Sequence, residues 1–168
     1  MDTAVARQGA LPLRPPAHQA SPRAVLWWRL RATLTVVVLV VPQVGALLVT
    51  GAGWLAVTSA ASAAVGLAYV LLVPPLLYRI HRWEVTDEAV YTLSGWLVRE
   101  WRIAPISRVQ TVDTEHGPLQ QLLRLGTVTV TTASARGAVK ISGLDAADAA
   151  ELARSLTETT QATPGDAT

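Results

Sequence analysis

The sequence predicts a membrane hairpin of two helices, followed by a small, mainly β domain that a C-terminal helix closes. Two observations lead to this fold class. Residues 32–78 contain no Asp, Glu, Lys or Arg, and this run is about twice the roughly 20 residues that one helix needs to cross a bilayer. After Arg82 the apolar residues change from helical spacing to a period of two, which is typical of strands.

Composition divides the chain into four regions. Residues 1–24 are rich in Pro, Ala and Arg, and we predict a disordered cytoplasmic tail there. Residues 25–82 form the transmembrane hairpin, with spans at about 32–49 and 54–78 on either side of a Gly-Ala-Gly turn. The predicted β domain covers residues 83–160, and a second disordered tail covers 161–168.

Basic and aromatic residues flank both spans and predict their orientation. Short loops rich in Lys and Arg stay in the cytoplasm, and here both flanks are basic while the loop between the spans carries no charge. Both termini are therefore expected in the cytoplasm. We expect the aromatic rings to lie at headgroup depth and the arginines to face lipid phosphates, and these membrane-interface anchors are Trp27, Trp28, Arg29, Arg31, Tyr78, Arg79, Arg82 and Trp83.

The second span carries a face of small residues at every fourth position: Ala56, Ala60, Ala64 and Ala68. Small residues let helices approach closely in lipid. We expect this face to pack against the first span, and a contact between copies in a homo-oligomer is the alternative. Gln43 of the first span either bonds across to the second span or lies near enough to the lipid interface to need no partner.

The β domain is predicted as a run of antiparallel strands followed by one helix. Turn and breaker residues, among them Ser94-Gly95, Pro105 and Gly117-Pro118, separate strands at residues 83–86, 89–93, 96–103, 108–115, 127–132 and 138–142. A short helical turn is expected at 119–125. Asp145 can cap a helix from Ala146 to about Thr159, whose apolar face comprises Leu144, Ala149, Leu152, Ala153 and Leu156.

Several kinds of chemistry find no support in the sequence. The chain has no cysteine, which excludes disulfides, thiolate zinc sites and cysteine nucleophiles. His18, His81 and His116 are too far apart in sequence to suggest a metal site, and no cofactor is predicted. The basic residues after Arg82 are spread over different strands and there is no Phe, so nucleic-acid binding is not expected.

Catalysis is also not expected. Ser134, His116 and Asp113 can be written as a hydrolase triad, but no nucleophile elbow or Gly-rich phosphate loop accompanies them. The spans contain no ionisable group of the kind that marks transporters and channels. We therefore predict no catalytic residue, with an unrecognised hydrolase as a remote alternative, and interpret the hairpin as an anchor.

The β region resembles a known family. The segments WEVTDE (83–88), LSGWL (93–97), IAPISRVQ (103–110) and LQQLLRLG (119–126) are similar, in this order, to the YdbS-type bacterial PH domain. The resemblance implies a pleckstrin-homology-like sandwich or barrel, capped by a C-terminal helix and attached to the bacterial inner membrane by a two-span hairpin. It implies no catalytic activity. Members resemble parts of paired systems, so a larger membrane protein with several PH domains is the expected partner.

Two functions follow as expectations. The first is a non-enzymatic scaffold that binds another protein at a sheet edge or beside the closing helix. The alternative is a sensor of anionic lipid headgroups. Many eukaryotic PH domains carry several Lys and Arg across their first hairpin, whereas the corresponding turn here, Thr86-Asp87-Glu88, is acidic. Weaker contacts of Arg79 and Arg82 with anionic lipids are expected.

Overall fold

A computed structural model describes residues 15–133 and 137–162 of the protein. Its first half is an antiparallel hairpin of two 28-residue helices, α1 (Arg23–Thr50) and α2 (Gly53–Ile80). Both are long and apolar enough to cross a membrane. The predicted spans 32–49 and 54–78 fall inside these helices, and α1 extends beyond the charge-free run by its first nine residues.

The contact between α1 and α2 depends on small and β-branched side chains. Gly66 of α2 faces Val36 of α1 so closely that a Cβ on the glycine would lie 2.6 Å from both methyl carbons of the valine. The Gln43 amide donates to the Leu39 carbonyl at 2.9 Å and to the Ser62 hydroxyl at 3.4 Å. The structure therefore shows the first of the two alternatives for Gln43, a hydrogen bond across to the second span.

The alanine face of α2 does not take part in this contact. Ala56, Ala60, Ala64 and Ala68 are all exposed on the hairpin, so the prediction that they pack against the first span is wrong. The buried residues of α2 are Leu55, Ser59, Gly66, Val73 and Pro74. This face permits a closer approach because Gly66 has no side chain and the Ser59 hydroxyl folds back on the Leu55 carbonyl at 2.6 Å. The alternative, a contact between copies, stays a prediction.

The β domain consists of two antiparallel sheets and two helices. The strands are β1 (His18–Gln19), β2 (Arg82–Val85), β3 (Ala89–Ser94), β4 (Glu100–Pro105), β5 (Val109–Glu115), β6 (Leu125–Thr132) and β7 (Val139–Asp145). The first sheet has the order β1-β2-β3-β4 and the second β5-β6-β7. Helix α3 (Pro118–Leu123) precedes β6, and α4 (Ala146–Ala162) follows β7.

The core of the domain lies between the two sheets and α4. Its most completely buried members are Val90, Val128, Val130, Ile141 and Leu156. The predicted apolar face of α4 is confirmed, since Leu144, Ala149, Leu152 and Leu156 are buried and Ala153 is half-buried. The predicted fold class, a two-helix hairpin followed by a mainly β domain with a capping helix, is confirmed as a whole.

Three predicted boundaries need correction. Residues 15–24 are not a disordered tail, because β1 pairs with the edge of β2 and Pro22 lies at the N-cap of α1, where a missing N–H costs no helical hydrogen bond. The third predicted strand begins at Glu100 and not at residue 96. Helix α4 continues to Ala162, which shortens the predicted second tail. Residues 1–14 and 163–168 lie outside the described residues.

Candidate functional site

A short segment ahead of α1, residues 15–22, ties the β domain to the hairpin, and we call it the strap. The imidazole of His18 stacks on Trp83 with ring centroids 4.9 Å apart. The Trp83 indole donates to the Gln19 carbonyl at 3.3 Å, and the Ala17 N–H donates to a Glu84 carboxylate oxygen at 3.1 Å. Trp83 was predicted as a membrane-interface anchor, and the structure packs its ring against the strap and the domain core.

The first turn of α1 docks on β7. The Ser21 N–H donates to the Gly143 carbonyl at 2.8 Å. Ala24 is fully buried there, and a Cβ placed on Gly143 would lie 2.7 Å from the Cβ of Ala24. Arg23 and Asp145 form an ion pair at 3.4 Å, with both side chains exposed, and such pairs contribute at most about 1 kcal/mol. Close packing and a backbone bond, more than charge, hold the domain against α1.

Aromatic side chains connect the start of α1 to the end of α2. The Trp27 and Trp28 rings lie 6.0 Å apart, and Trp28 makes an edge contact with His81, whose ring centroid is 5.9 Å away. Burial lowers the pKa of the His81 imidazole below its ordinary value, so this position favours the neutral ring. Through these contacts the start of α1, the end of α2 and the strap hold the β domain beside the hairpin.

The other predicted interface anchors lie around this junction. Arg29, Arg31 and Arg79 are exposed, whereas Tyr78 and Arg82 are half-buried. Their depth relative to lipid headgroups stays a prediction.

A groove separates the outer edges of β4 and β7, and we call it the edge groove. Its volume is about 410 Å³. Among the described strands, β4 pairs only with β3, and β7 only with β6. Arg102 spans the groove, donating to the Ala138 carbonyl at 2.9 Å while it pairs with Glu100 at 2.8 Å. The residues that line the groove are Glu100, Trp101, Arg102, Ile103, Ala104, Pro105, Arg108, Thr132, Gly137 and Val139.

The edge groove contains both apolar side chains and a positively charged one, and peptide binding can use both kinds. Ile103 is 46% exposed although it is a large apolar residue on a strand, and Trp101 beside it is half-buried. Arg108 adds an exposed positive charge. The sequence indicated strands but not which edges stay open, because edge pairing depends on contacts distant in sequence.

A second concave surface lies between α1 and the second sheet. This shallow pocket, of about 760 Å³, is lined by Trp27 and Arg31 of α1, by Lys140 of β7, and by Glu115 and His116. Arg31 borders the charge-free run of α1. The sequence did not indicate that Arg31 and Lys140 line one pocket, since they are far apart along the chain and neither belongs to a motif.

The acidic turn lies at the opposite end of the first sheet. Val85 pairs with Val90 beside the turn, while Arg82 pairs with Leu93 beside the membrane hairpin. The Thr86 hydroxyl accepts the N–H groups of Glu88 and Ala89 at 3.3 and 3.2 Å and so closes the turn. The acidic turn therefore lies at the end of the first sheet that is farther from the hairpin.

Two of the three residues of the hydrolase alternative lie in the described part of the chain, and each contacts a different group. His116 Nδ1 lies 2.9 Å from the Leu125 carbonyl oxygen, and the Asp113 carboxylate accepts from the Thr111 hydroxyl at 3.2 Å. Ser134 lies outside the described residues. Within residues 15–133 and 137–162, no group of three or more His, Cys, Asp or Glu side chains could hold a metal ion.

Comparison with known proteins identifies the family. The family model described as "Bacterial PH domain" matches residues 30–160, which include most of α1, all of α2 and most of the β domain. The transmembrane protein YdbS of Bacillus subtilis (strain 168) is 30% identical over 146 residues, covering 79% of this chain and 87% of that protein. No solved structure gives a significant match. The family description and this relative's name state a domain and a membrane location but no reaction. The chain therefore belongs to the bacterial PH domain family, as a membrane protein of the YdbS-like type.

Proposed function

We propose that this protein is a non-enzymatic scaffold of the bacterial inner membrane, with both termini in the cytoplasm. The hairpin would hold the β domain at the membrane surface, where it recruits another protein. Both flanks of the hairpin are basic and the loop between its helices is uncharged, which supports this orientation.

One observation carries the proposal: among the described residues, no further strand pairs with β4 or with the first half of β7 at the edge groove, in a domain that is otherwise fixed to its anchor. An open edge offers backbone donors and acceptors to an extended peptide, and neighbouring pockets select its side chains. Here Trp101 and Ile103 offer apolar contact, and Arg108 offers a positive charge. An extended segment with an apolar residue near a carboxylate fits this lining.

The partner that we propose is a larger membrane protein that carries several PH domains. A partner in the same membrane would meet the groove without diffusing through the cytoplasm, and restriction to one surface raises the effective concentration of two membrane-bound partners. This choice rests on the family's resemblance to paired systems and on the groove's lining.

Co-purification from native membranes tests the scaffold. The full chain is extracted in mild detergent beside two variants, Ile103→Asp in the groove and Leu122→Asp on α3. Leu122→Asp is the control, because Leu122 is also an exposed apolar residue but does not line the groove. We expect the same partner with the wild type and with Leu122→Asp, and its loss with Ile103→Asp. Recovery of the wild type alone as a monomer contradicts the scaffold, whereas retention by Ile103→Asp places the partner elsewhere.

The shallow pocket supports a second candidate, a sensor of anionic lipid headgroups. Arg31 and Lys140 both line it near the membrane, although Glu115 lines it too and lowers its net positive charge. The strap and α1 cover one face of the domain, so the full chain in nanodiscs is the proper sample. Lys140→Gln is expected to lower retention of anionic lipid in purified protein if this function holds. Equal retention by wild type and variant contradicts the sensor.

A further inference from the structure

The loop between β3 and β4 exposes three consecutive apolar side chains. Trp96, Leu97 and Val98 are 44%, 77% and 78% exposed, and we call these three residues the apolar tip. The sequence predicted that they lie inside a strand, but β4 begins only at Glu100. Single exposed apolar residues are ordinary, whereas a contiguous group on a projecting loop marks a contact surface.

The strand register places the apolar tip at the membrane end of the domain. Helix α2 ends at Ile80, and β2 begins two residues later at Arg82, so the start of β2 is tied to the membrane surface. Strand β3 runs back toward that surface, because Leu93 pairs with Arg82. Ser94 and Glu100 form the last pair of the next ladder, and the loop that joins them continues in the same direction.

The apolar tip lies close to the level at which α2 leaves the predicted span. Arg82 follows Tyr78, the last residue of that span, by two helical and two extended residue steps, or roughly 10 Å. Leu93 is level with Arg82, and Ser94 adds about 3.3 Å toward the membrane before the chain turns at Gly95. When the strands run along the membrane normal, the backbone of the tip therefore lies within roughly 7 Å of the level of Tyr78, which is about the thickness of one headgroup layer.

The loop is a defined turn, since Gly95 has a φ of +90° and any Cβ there would collide with the Val98 carbonyl. This turn directs the three apolar side chains outward instead of folding them onto the sheet. Arg99 follows the tip directly and is exposed. A Trp with neighbouring aliphatic residues and an Arg is the composition found where proteins meet the headgroup region.

We propose that the apolar tip inserts into the cytoplasmic leaflet at the boundary between headgroups and acyl chains. It provides a contact with lipid in addition to the two helices and holds the first sheet upright on the membrane. The occupant is the lipid bilayer, because the register directs the loop to the surface in which the hairpin is embedded. This inference does not depend on the scaffold function or on the edge groove.

Single-cysteine labelling of the full chain tests the insertion, since the natural sequence has no cysteine. Leu97→Cys and the control Asp87→Cys are labelled with an environment-sensitive fluorophore and reconstituted in nanodiscs of phosphatidylcholine and phosphatidylglycerol. Asp87 lies in the exposed turn at the opposite end of the same sheet. Lipids that carry a nitroxide near the headgroup and aqueous iodide serve as the two quenchers.

We expect the label at position 97 to emit at shorter wavelength, to be quenched by the nitroxide lipid, and to be several-fold less accessible to iodide than the label at position 87. Equal iodide quenching at both positions, with no effect of the nitroxide lipid, overturns the proposal. Protection of position 97 in native membranes but not in pure-lipid nanodiscs also overturns it, because the tip would then contact a protein.

Discussion

Replacement of Gly143 by alanine tests whether α1 is docked on the β domain as the structure describes. Gly143 lies on β7 with a φ of +76°, and a Cβ there would lie 2.7 Å from the Cβ of Ala24. The Gly143 carbonyl also accepts a hydrogen bond from the Ser21 N–H. The variant therefore disturbs the joint between hairpin and domain and leaves the apolar core cluster unchanged.

Two separate costs add in this variant. An alanine in the left-handed region costs about 1–2 kcal/mol. Relief of the clash with Ala24 requires a shift in a fully buried contact, and such overpacking costs about 1–3 kcal/mol. Gly137→Ala provides a matched control, because Gly137 has a φ of +77° and nothing lies within 4 Å of the Cβ it would receive.

The assay is urea unfolding of the full chain in nanodiscs, followed by tryptophan fluorescence and analysed by linear extrapolation. Gly137→Ala is expected to lower the free energy of unfolding by about 1–2 kcal/mol, and Gly143→Ala by about 1–3 kcal/mol more than that. Hydrogen exchange at the Ser21 amide should accelerate only in Gly143→Ala. Equal losses in the two variants would refute the docked arrangement of α1.

Three further predictions concern other parts of the fold. Leu156→Ala, in the core face of α4, should lower the free energy of unfolding by about 2–5 kcal/mol, while Arg154→Ala on the exposed face should change it by less than about 0.5 kcal/mol; urea titration distinguishes them. Gly66→Leu should force α1 and α2 apart and weaken the hairpin by about 1–3 kcal/mol in a detergent-titration assay, whereas the exposed Ala64 should accept leucine without loss. Burial lowers the pKa of His81, so the unfolded chain binds more protons at this residue than the folded chain does. The free energy of unfolding should therefore fall as the pH drops below the ordinary histidine value of about 6.5. The slope is at most about 1.4 kcal/mol per pH unit. His81→Gln should reduce this pH dependence, and equal profiles would contradict the assignment.

The parts of the fold that depend on local pattern could be predicted from the sequence. The charge-free run predicts two spans because lipid tolerates few charges whatever the chain packs against. The face of α4 with Leu152 and Leu156 is visible because helical spacing records which side is buried. Alternating valines and threonines likewise predict β6.

The parts of the fold that depend on pairing between distant residues could not be predicted from the sequence. The strap looks disordered because a two-residue strand has no periodicity, and its partners, β2 and β7, lie far along the chain. The regular spacing of the alanines in α2 predicts that they pack against α1. Ser59 and Gly66 allow a closer approach of the helices, however, and these residues form the interface. The composition of the apolar tip favours β structure and so predicts a strand, whereas Gly95 turns the chain just before it.

In the candidate site, too, features with a local sequence pattern could be predicted and features that depend on long-range pairing could not. The anchoring residues around Trp28 and Arg31 are recognisable because interfacial Trp and Arg have a compositional signature. The edge groove has no such signature, since it arises where β4 and the start of β7 have no further strand partner in the described part of the chain. Its location required the ladders of both sheets.

The measurement that tests the central claim most directly is the sidedness of the chain in intact cells. Ala52→Cys in the loop between the helices and Asp87→Cys in the β domain are exposed separately to a membrane-impermeant maleimide on spheroplasts. A two-span hairpin with a cytoplasmic β domain predicts labelling at position 52 from outside and labelling at position 87 only after the membrane is broken. Labelling at position 87 in intact spheroplasts would contradict it.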